Sequence, residues 1–267
     1  MFPGHPYGLP EHGTEATIAS LDRAALQGWW KSSLAADRAL IVVVGNADAE
    51  DVRRAVERKL ATLPRTAGTL AAAPAPRPPA AMTEAIEVRD RKQTAMVIGF
   101  PAAAPASPDW HALRLAQSMA SGLSGTFFRE LRSRQSLAYV VFAGPQGHAQ
   151  QGTFFGYLAG EAAKEQTARN ALLAELRKLR DAGVREEDLA RAKSYFAGST
   201  RIGRESSSAL ASEYGRNYVL SVPLDHVDLT LRTVPGISVE GLRAVARRYF
   251  SGDNYVYAAV RGAPAQK

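Results

Sequence analysis

A proline-rich stretch divides this sequence and constrains its fold more than any other feature. Residues 65–81 read RTAGTLAAAPAPRPPAA, with four prolines between positions 74 and 79. Proline lacks a backbone N–H and has a fixed φ, so it cannot continue a helix or a central strand. We expect either an extended spacer or an ordinary long surface loop. In both cases the stretch joins two separately packed units, residues 1–64 and 82–267.

The first unit carries signals for a helix, a strand and a second helix. A helix is predicted over 20–33, and the apolar run ALIVVV predicts a buried strand over 39–44. A second helix is expected to begin at Asn46 or Asp48. A single strand between two helices leaves both of its edges unpaired. Residues 1–64 are therefore expected to be the tail of a domain whose other strands are not in this chain.

The second unit shows a fuller pattern. Strands are predicted over 84–91 and 93–102, then a helix over 108–120, a turn SGLSG, a helix in TFFRELRSRQSL, strands AYVVFAG and GTFFGYLAG, helices over 165–182, 185–201, 206–221 and 238–249, and a closing strand NYVYAAV. Strands and helices in this order predict an α+β fold. Its helices should pack on one face of an antiparallel or mixed sheet.

Composition excludes several kinds of chemistry. The chain has no cysteine, which excludes disulfides, cysteine-ligated zinc and thiol catalysis. The formal charge of +7 is spread along the sequence without a basic block. A solvated basic surface is the favoured explanation and an anionic substrate or acidic partner is the alternative. Nucleic-acid binding is a third reading of this charge, but no nucleic-acid partner is expected. No apolar run reaches the roughly 18 residues that a membrane span needs.

The histidines do not form a metal-binding pattern. The five are His5, His12, His111, His148 and His226. None pairs with another at the i, i+4 spacing that puts two imidazoles on one helix face. His111, near a helix start, and His148, in a hairpin loop, are expected to be ordinary solvated side chains. We therefore expect no metal ligand and no complete catalytic site in this chain.

One group of residues suggests a binding site. Phe127, Phe128 and Leu131 are predicted to form the buried side of a short helix, with Arg132 late in that helix. Tyr139 follows seven residues later, where the next strand begins. A guanidinium and a phenol facing one cavity would suit a peptide carbonyl or a developing oxyanion. The alternative is that Arg132 is a surface helix residue and Tyr139 a half-buried strand aromatic.

These residues also carry a resemblance to a known family. FFRELRSRQSLAYVVFAG resembles the second-domain signature of the pitrilysin–insulinase zinc metallopeptidases, in the processing-peptidase-like subgroup, approximately F-x-x-L-R-x-x-x-x-L-x-Y-x-V. Arg132 and Tyr139 stand at its arginine and tyrosine, with Leu131 and Leu137 at its leucines. The opening segment, HPYGLPEHGTEATIASLDRAALQGWW, resembles a stretch late in the family's first domain. The resemblance thus covers essentially the whole chain in collinear order.

The resemblance implies a function for this chain as part of a larger enzyme. It implies a metallopeptidase-like α/β roll, with one complete non-zinc domain after the tail of a first domain. Arg132 and Tyr139 would hold the backbone of an unfolded peptide substrate and help to polarise its scissile carbonyl. In the family the zinc motif H-x-x-E-H precedes the H-P-Y-G stretch, so this chain would bind no cofactor. Zinc would come from a missing or partner half.

The resemblance leaves several points open. The zinc-bearing half would lie in the same parent chain or in a partner subunit, in a heterodimer or a homodimer. The implied location is the bacterial cytoplasm or periplasm. Some relatives of this kind are inactive scaffolds, like the core proteins of respiratory complexes, which is the alternative function. Retention of both Arg132 and Tyr139 favours the peptidase over the scaffold.

Overall fold

A computed structural model describes residues 1–66, 73–121, 125–181 and 184–262. The middle of the predicted SGLSG turn and part of the proline-rich stretch lie outside these residues. Within the described ranges, every helix is too short or too polar to span a bilayer.

The α-helices and strands follow one another in a simple order. The first unit contains α1 (Glu15–Ala19), α2 (Arg23–Ser33) and α3 (Ala49–Lys59). The second contains β1 (Thr83–Arg89), β2 (Gln93–Ala102), α4 (Asp109–Ala120), a π-helix (Phe128–Arg134), β3 (Val140–Gly147), β4 (Gly152–Glu161), α5 (Glu165–Asp181), α6 (Glu186–Ile202), α7 (Ser207–Val219), α8 (His226–Thr233), α9 (Val239–Tyr249) and β5 (Val256–Gly262). Short 3-10 turns cover Pro6–Gly8, Ala36–Arg38, Ala162–Lys164 and Val234–Gly236.

The five strands form one mixed sheet in the order β1-β5-β2-β4-β3. β1 runs parallel to β5, and every other neighbouring pair is antiparallel. β1 therefore forms one edge of the sheet and β3 the other. The last strand of the chain, β5, lies in the interior between β1 and β2. The predicted α+β fold with a mixed sheet is confirmed.

The core lies between one face of this sheet and the helices. Along β2, alternate residues Met96, Ile98 and Phe100 are almost completely buried, because side chains of a strand alternate between its two faces. Phe154 on β4 lies opposite Phe100, and both rings pack against Phe250 after α9. Burying aromatic side chains of this size is a major contribution to stability.

The first unit contributes little to this core. Among residues 1–66 only Phe2, His5 and Ala35 are buried. The helix predicted over 20–33 forms as α2, but it begins only after Asp22, whose carboxylate accepts from the amide of Ala25, so its predicted start at residue 20 is wrong. A separate helix, α1, ends just before that point. α3 follows Asp48 as predicted.

The predicted strand over 39–44 does not form. The run has no ladder partner among the described residues, and Leu40, Ile41 and Val43 are 41–55% exposed. The prediction of a buried strand is wrong because a strand is stabilised by neighbouring strands, and none in the described part of the chain lies beside this run.

His111 and His148 are less solvated than expected. His111 is buried, with Nδ1 2.9 Å from the hydroxyl of Thr230. His5 is also buried, with Nε2 2.9 Å from the carbonyl of Pro74 in the proline-rich stretch. His148, at the tip of the β3–β4 hairpin, stacks on Tyr7 at 4.2 Å between ring centroids. The opening H-P-Y-G segment thereby contacts the hairpin of the second unit.

Candidate functional site

The candidate site begins with a short helix of unusual geometry. Residues Phe128–Arg134 form a π-helix, and the amide of Gln135 donates to the carbonyl of Glu130 five residues earlier. Phe127 and Leu131 are buried, as predicted, while Phe128 is partly buried against the core. π-Helical turns are rare and are often found at functional sites. Sequence reasoning predicted a helix here but not its type.

A tight turn connects this helix to β3. The amide of Ser136 donates to the carbonyl of Arg132, and the amide of Leu137 donates to that of Leu131 at 2.9 Å. Ser136 has a φ of 50°, a left-handed conformation that is uncommon for a residue other than glycine. Gly160 on β4 leaves room for this turn, because a Cβ there would lie 2.2 Å from the carbonyl oxygen of Leu137. The turn holds the end of the helix beside the start of the strand.

Arg132 differs from the two arginines that flank it. Arg134 pairs with Glu130 at 3.0 Å, and Arg129 lies 3.6 Å from the same carboxylate. Arg132 is exposed and has no carboxylate within ion-pair distance in the described part of the chain. Its guanidinium carbon lies 5.0 Å from the ring centroid of Phe128, a cation–π contact that supports the side chain at the surface. A cation with no acidic partner is available to an incoming carbonyl or carboxylate.

Tyr139 is the residue immediately before β3, and its backbone is held by β4. Its amide donates to the carbonyl of Ala159 on β4 at 2.8 Å, which fixes the backbone. The side chain is 49% exposed, and its hydroxyl has no hydrogen bond within the described residues. The turn thus brings the backbones that carry Arg132 and Tyr139 to one end of the β3 edge. Both polar groups remain accessible there.

An apolar surface continues from this end along the open face of the sheet. Val140 and Phe142 on β3 point away from the helices and are 49% and 40% exposed. Phe142 stacks on Tyr157 at 4.9 Å and meets Phe155 edge-on. We did not predict this surface from the sequence. The alternation of large and small residues in VVFAG and TFFGYLAG is the signal that would have indicated it.

The two edges of the sheet differ in charge. β1 carries Glu84, Glu87 and Arg89, and Glu87 pairs with Arg89 at 2.6 Å. β3 contains no charged residue. Charged side chains on an edge strand oppose the addition of another strand, and their absence permits it. Pro145 lies within β3 and has no backbone N–H, so only the part of the edge before it, residues 140–144, can accept an extended chain through main-chain hydrogen bonds.

The described residues do not form a metal-binding site. In the part that the structure describes, no three histidine, aspartate or glutamate side chains lie together as metal ligands would. His111 and His226 have ring centroids 5.5 Å apart, but the pair lies among α4 and α8 with no third ligand beside it. No step of catalysis through zinc follows from these residues.

The fold defines an α+β protein with an open mixed sheet whose β3 edge carries no charge. The chain matches the peptidase M16 inactive domain over residues 20–196, which is 177 of its 267 residues. It belongs to this family. The match begins in the first unit and continues through the candidate site.

Individual relatives agree with this assignment. An uncharacterized zinc protease of Streptomyces coelicolor is 25% identical over 92% of this chain and 55% of its own length. The beta subunit of the mitochondrial-processing peptidase of Lentinula edodes is 25% identical over 97% of this chain and 58% of its own. The crystal structure of a peptidase M16 inactive domain from Pseudomonas fluorescens superimposes with a TM-score of 0.87 at 22% identity, covering 100% of this chain and 64% of that one. This chain thus spans little more than half the length of the two sequence relatives.

Proposed function

We propose that this chain is the substrate-binding, non-zinc portion of a zinc metallopeptidase that degrades or processes unfolded peptides. It would be inactive alone and would need a half that carries H-x-x-E-H, either in the same polypeptide or as a partner subunit. The zinc proteases among its relatives, and the fraction of their length that it spans, support a missing half of this kind.

The unpaired apolar run over 39–44 is the observation that carries this proposal. Its side chains are half exposed, and Trp29 and Trp30 on the neighbouring α2 are 65% and 59% exposed. Several large apolar side chains exposed within one stretch of sequence indicate an interaction site. Strands from a zinc-bearing half would pair with the run and cover the tryptophans, completing the first domain.

The β3 edge supports the substrate-binding role. A peptide added along this uncharged edge would have the apolar surface around Phe142 beneath it and the guanidinium of Arg132 at one end. The hydroxyl of Tyr139, without an internal partner, would donate to the scissile carbonyl while zinc in the other half supplies the Lewis acid. Donors aimed at the developing oxyanion lower the barrier because they bind the transition state more strongly than the substrate.

Substitution of these two residues in the assembled enzyme tests the proposal. The chain would be combined with its zinc-bearing half and assayed with an unfolded fluorogenic peptide. Arg132→Ala and Tyr139→Phe are each expected to lower kcat/KM about 100-fold, the size of a lost transition-state contact.

Matched controls separate a local role from general damage. Arg134→Ala removes the same charge from the same helix, but from an arginine that pairs with Glu130. Tyr195→Phe removes a hydroxyl from a tyrosine on α6 that is also 49% exposed. Both controls should retain most of the activity. Activity unchanged by Arg132→Ala and Tyr139→Phe would refute the assigned roles, and a stable assembly that cleaves no peptide would favour a scaffold.

A further inference from the structure

A second cleft lies on the helical side of the molecule, away from the β3 edge. It has a volume of about 480 Å³ and is lined by α4, α6, α7 and α8. Its apolar wall includes Trp110, Phe196 and Val222. The volume lies in the range of small-molecule sites, which combine apolar walls with a few polar groups.

Two of the arginines that line this cleft have no acidic partner among the described residues. Arg114 on α4 donates to the side-chain oxygen of Gln117 at 2.9 Å. Neither Arg114 nor Arg216 on α7 has a carboxylate within ion-pair distance among the described residues. Burial, and then repulsion by the nearby charge of Arg216, lower the pKa of the Arg114 guanidinium. An anion between them would relieve this repulsion.

The third arginine of the cleft is already neutralised. Arg204 binds Asp228 through two hydrogen bonds of 2.6 and 3.0 Å, and its Nε lies 2.9 Å from Oε2 of Glu213. The other oxygen of that glutamate, Oε1, is buried and has no hydrogen-bond partner. A buried acceptor without a donor is costly, and a ligand N–H would satisfy it.

Another buried polar atom in the cleft also lacks a hydrogen-bond partner. His226 on α8 is 8% exposed, and its Nε2 is buried without a hydrogen bond. Burial lowers the pKa of this imidazole, which favours its neutral form near pH 7. The cleft therefore offers unpaired cations, an unpaired acceptor and an unpaired imidazole beside an apolar wall.

We infer that this cleft binds a small carboxylate that also bears an N–H group, such as an amino acid or the C-terminal residue of a peptide. Arg114 and Arg216 would hold the carboxylate, Glu213 or His226 would take the N–H, and Trp110 and Phe196 would contact an apolar side chain. The inference does not rest on the proposed peptidase function, because it uses neither the zinc half nor the β3 edge.

Three related probes test the ligand chemistry by isothermal titration calorimetry on the whole chain. N-acetyl-leucine has both the carboxylate and the N–H group. N-acetyl-leucinamide (the amide) has no carboxylate, and 4-methylpentanoate has no N–H group. The amide and 4-methylpentanoate should each bind about ten-fold more weakly than N-acetyl-leucine, or worse. Free leucine distinguishes the two ligand sources: tighter binding than N-acetyl-leucine indicates an amino acid, and weaker binding indicates a peptide end.

Substitutions test the residues. Arg114→Gln and Arg216→Gln should each weaken N-acetyl-leucine binding about ten-fold or more. Arg216 is exposed, so its variant should fold even if the Arg114 variant does not. Arg201→Gln removes an exposed charge from α6 outside the cleft and should leave binding unchanged.

Other results would overturn the inference. Equal binding of the acid and the amide, binding insensitive to Arg216→Gln, or no binding of either N-acetyl-leucine or leucine up to about 10 mM would do so. Arg132→Ala should not change any of these affinities, so failure here is distinct from failure of the proposed function.

Discussion

Helices α3 and α9 show how differently the two units of this chain use similar sequences. Each helix has 11 residues, begins after a capping side chain and is amphipathic. α9 buries Leu242, Val245 and Ala246 against the core, whereas α3 buries no residue. Amphipathic patterning therefore determines where a helix has an apolar face. A neighbouring element determines whether that face is buried.

The two apolar runs that accompany these helices differ in the same way. β5 lies in the interior of the sheet, paired with both β1 and β2. The run over 39–44 is at least as apolar, yet it has no strand beside it in the described chain. Strand propensity reflects fit to a pleated, half-buried surface, and only β5 has such a surface here.

Core truncation gives the largest expected difference between the units. Leu242→Ala on α9 should lower the free energy of unfolding by about 2–5 kcal/mol, because it leaves a cavity in a closed core. Val52→Ala stands at the corresponding fourth position of α3, and it should change that free energy by less than about 0.5 kcal/mol. Urea unfolding of both variants measures the difference. Equal losses would show that α3 is part of the same core.

Assembly with the proposed zinc-bearing half should depend on the first unit more than on the second, the opposite of the order expected for the free energy of unfolding. Trp29→Ala should weaken assembly with that half about 30-fold, because a large exposed aromatic becomes an anchor when it is buried. The same substitution should leave the unfolding of the isolated chain unchanged. Size-exclusion titration measures the first effect and urea unfolding the second. Assembly unaffected by Trp29→Ala would mean that the partner binds elsewhere.

Removing a helix cap should lower the free energy of unfolding in only one of the two units, and by less than a core truncation does. Asp48→Ala and Ser238→Ala each remove a side chain that accepts from the backbone of its helix, which costs about 1 kcal/mol locally. Only the Ser238 variant should lose global stability, since α9 is packed into the core. Asp48→Ala should instead accelerate hydrogen exchange within α3. A global loss from Asp48→Ala would contradict the comparison.

The smallest expected effect is a pH dependence of the contact between His148 in the second unit and Tyr7 in the first. Burial, and then the charge of His5, lower the pKa of His148 below its ordinary value of 6.5. A folded-state pKa that is lowered means that the unfolded chain binds more protons, so this contact weakens as pH falls through about 6.5. His148→Phe keeps a ring against Tyr7 but cannot be protonated. The amide signal of Gln150, which donates to the hydroxyl of Tyr7 at 3.3 Å, should shift with pH in the wild type and not in this variant.

Local patterns predicted much of the second unit. β2 was predicted over the same residues that it occupies, because its alternation of large apolar side chains is uninterrupted. The same patterns gave no information about pairing, so the parallel contact of β1 with β5 was not predicted. α8 was missed because its sequence, HVDLTLRT, is short and rich in residues of low helix propensity.

The candidate site was only partly predictable. Arg132 and Tyr139 were identified from their sequence, and the turn that connects them depends on Gly160, which lies on a different strand. Neither the uncharged edge at β3 nor the cleft around Arg114 follows from one segment alone. Each is formed by elements that are distant in the sequence and meet only in the folded protein.

Hydrogen exchange at residues 39–44 tests the central claim most directly. The claim is that this run becomes a strand only when the proposed zinc-bearing half pairs with it. Its amides should exchange rapidly in the chain alone and become strongly protected when that half is added, at the same stoichiometry at which peptide cleavage appears. Cleavage that appears without protection of these amides, or protection already present in the isolated chain, would contradict the account.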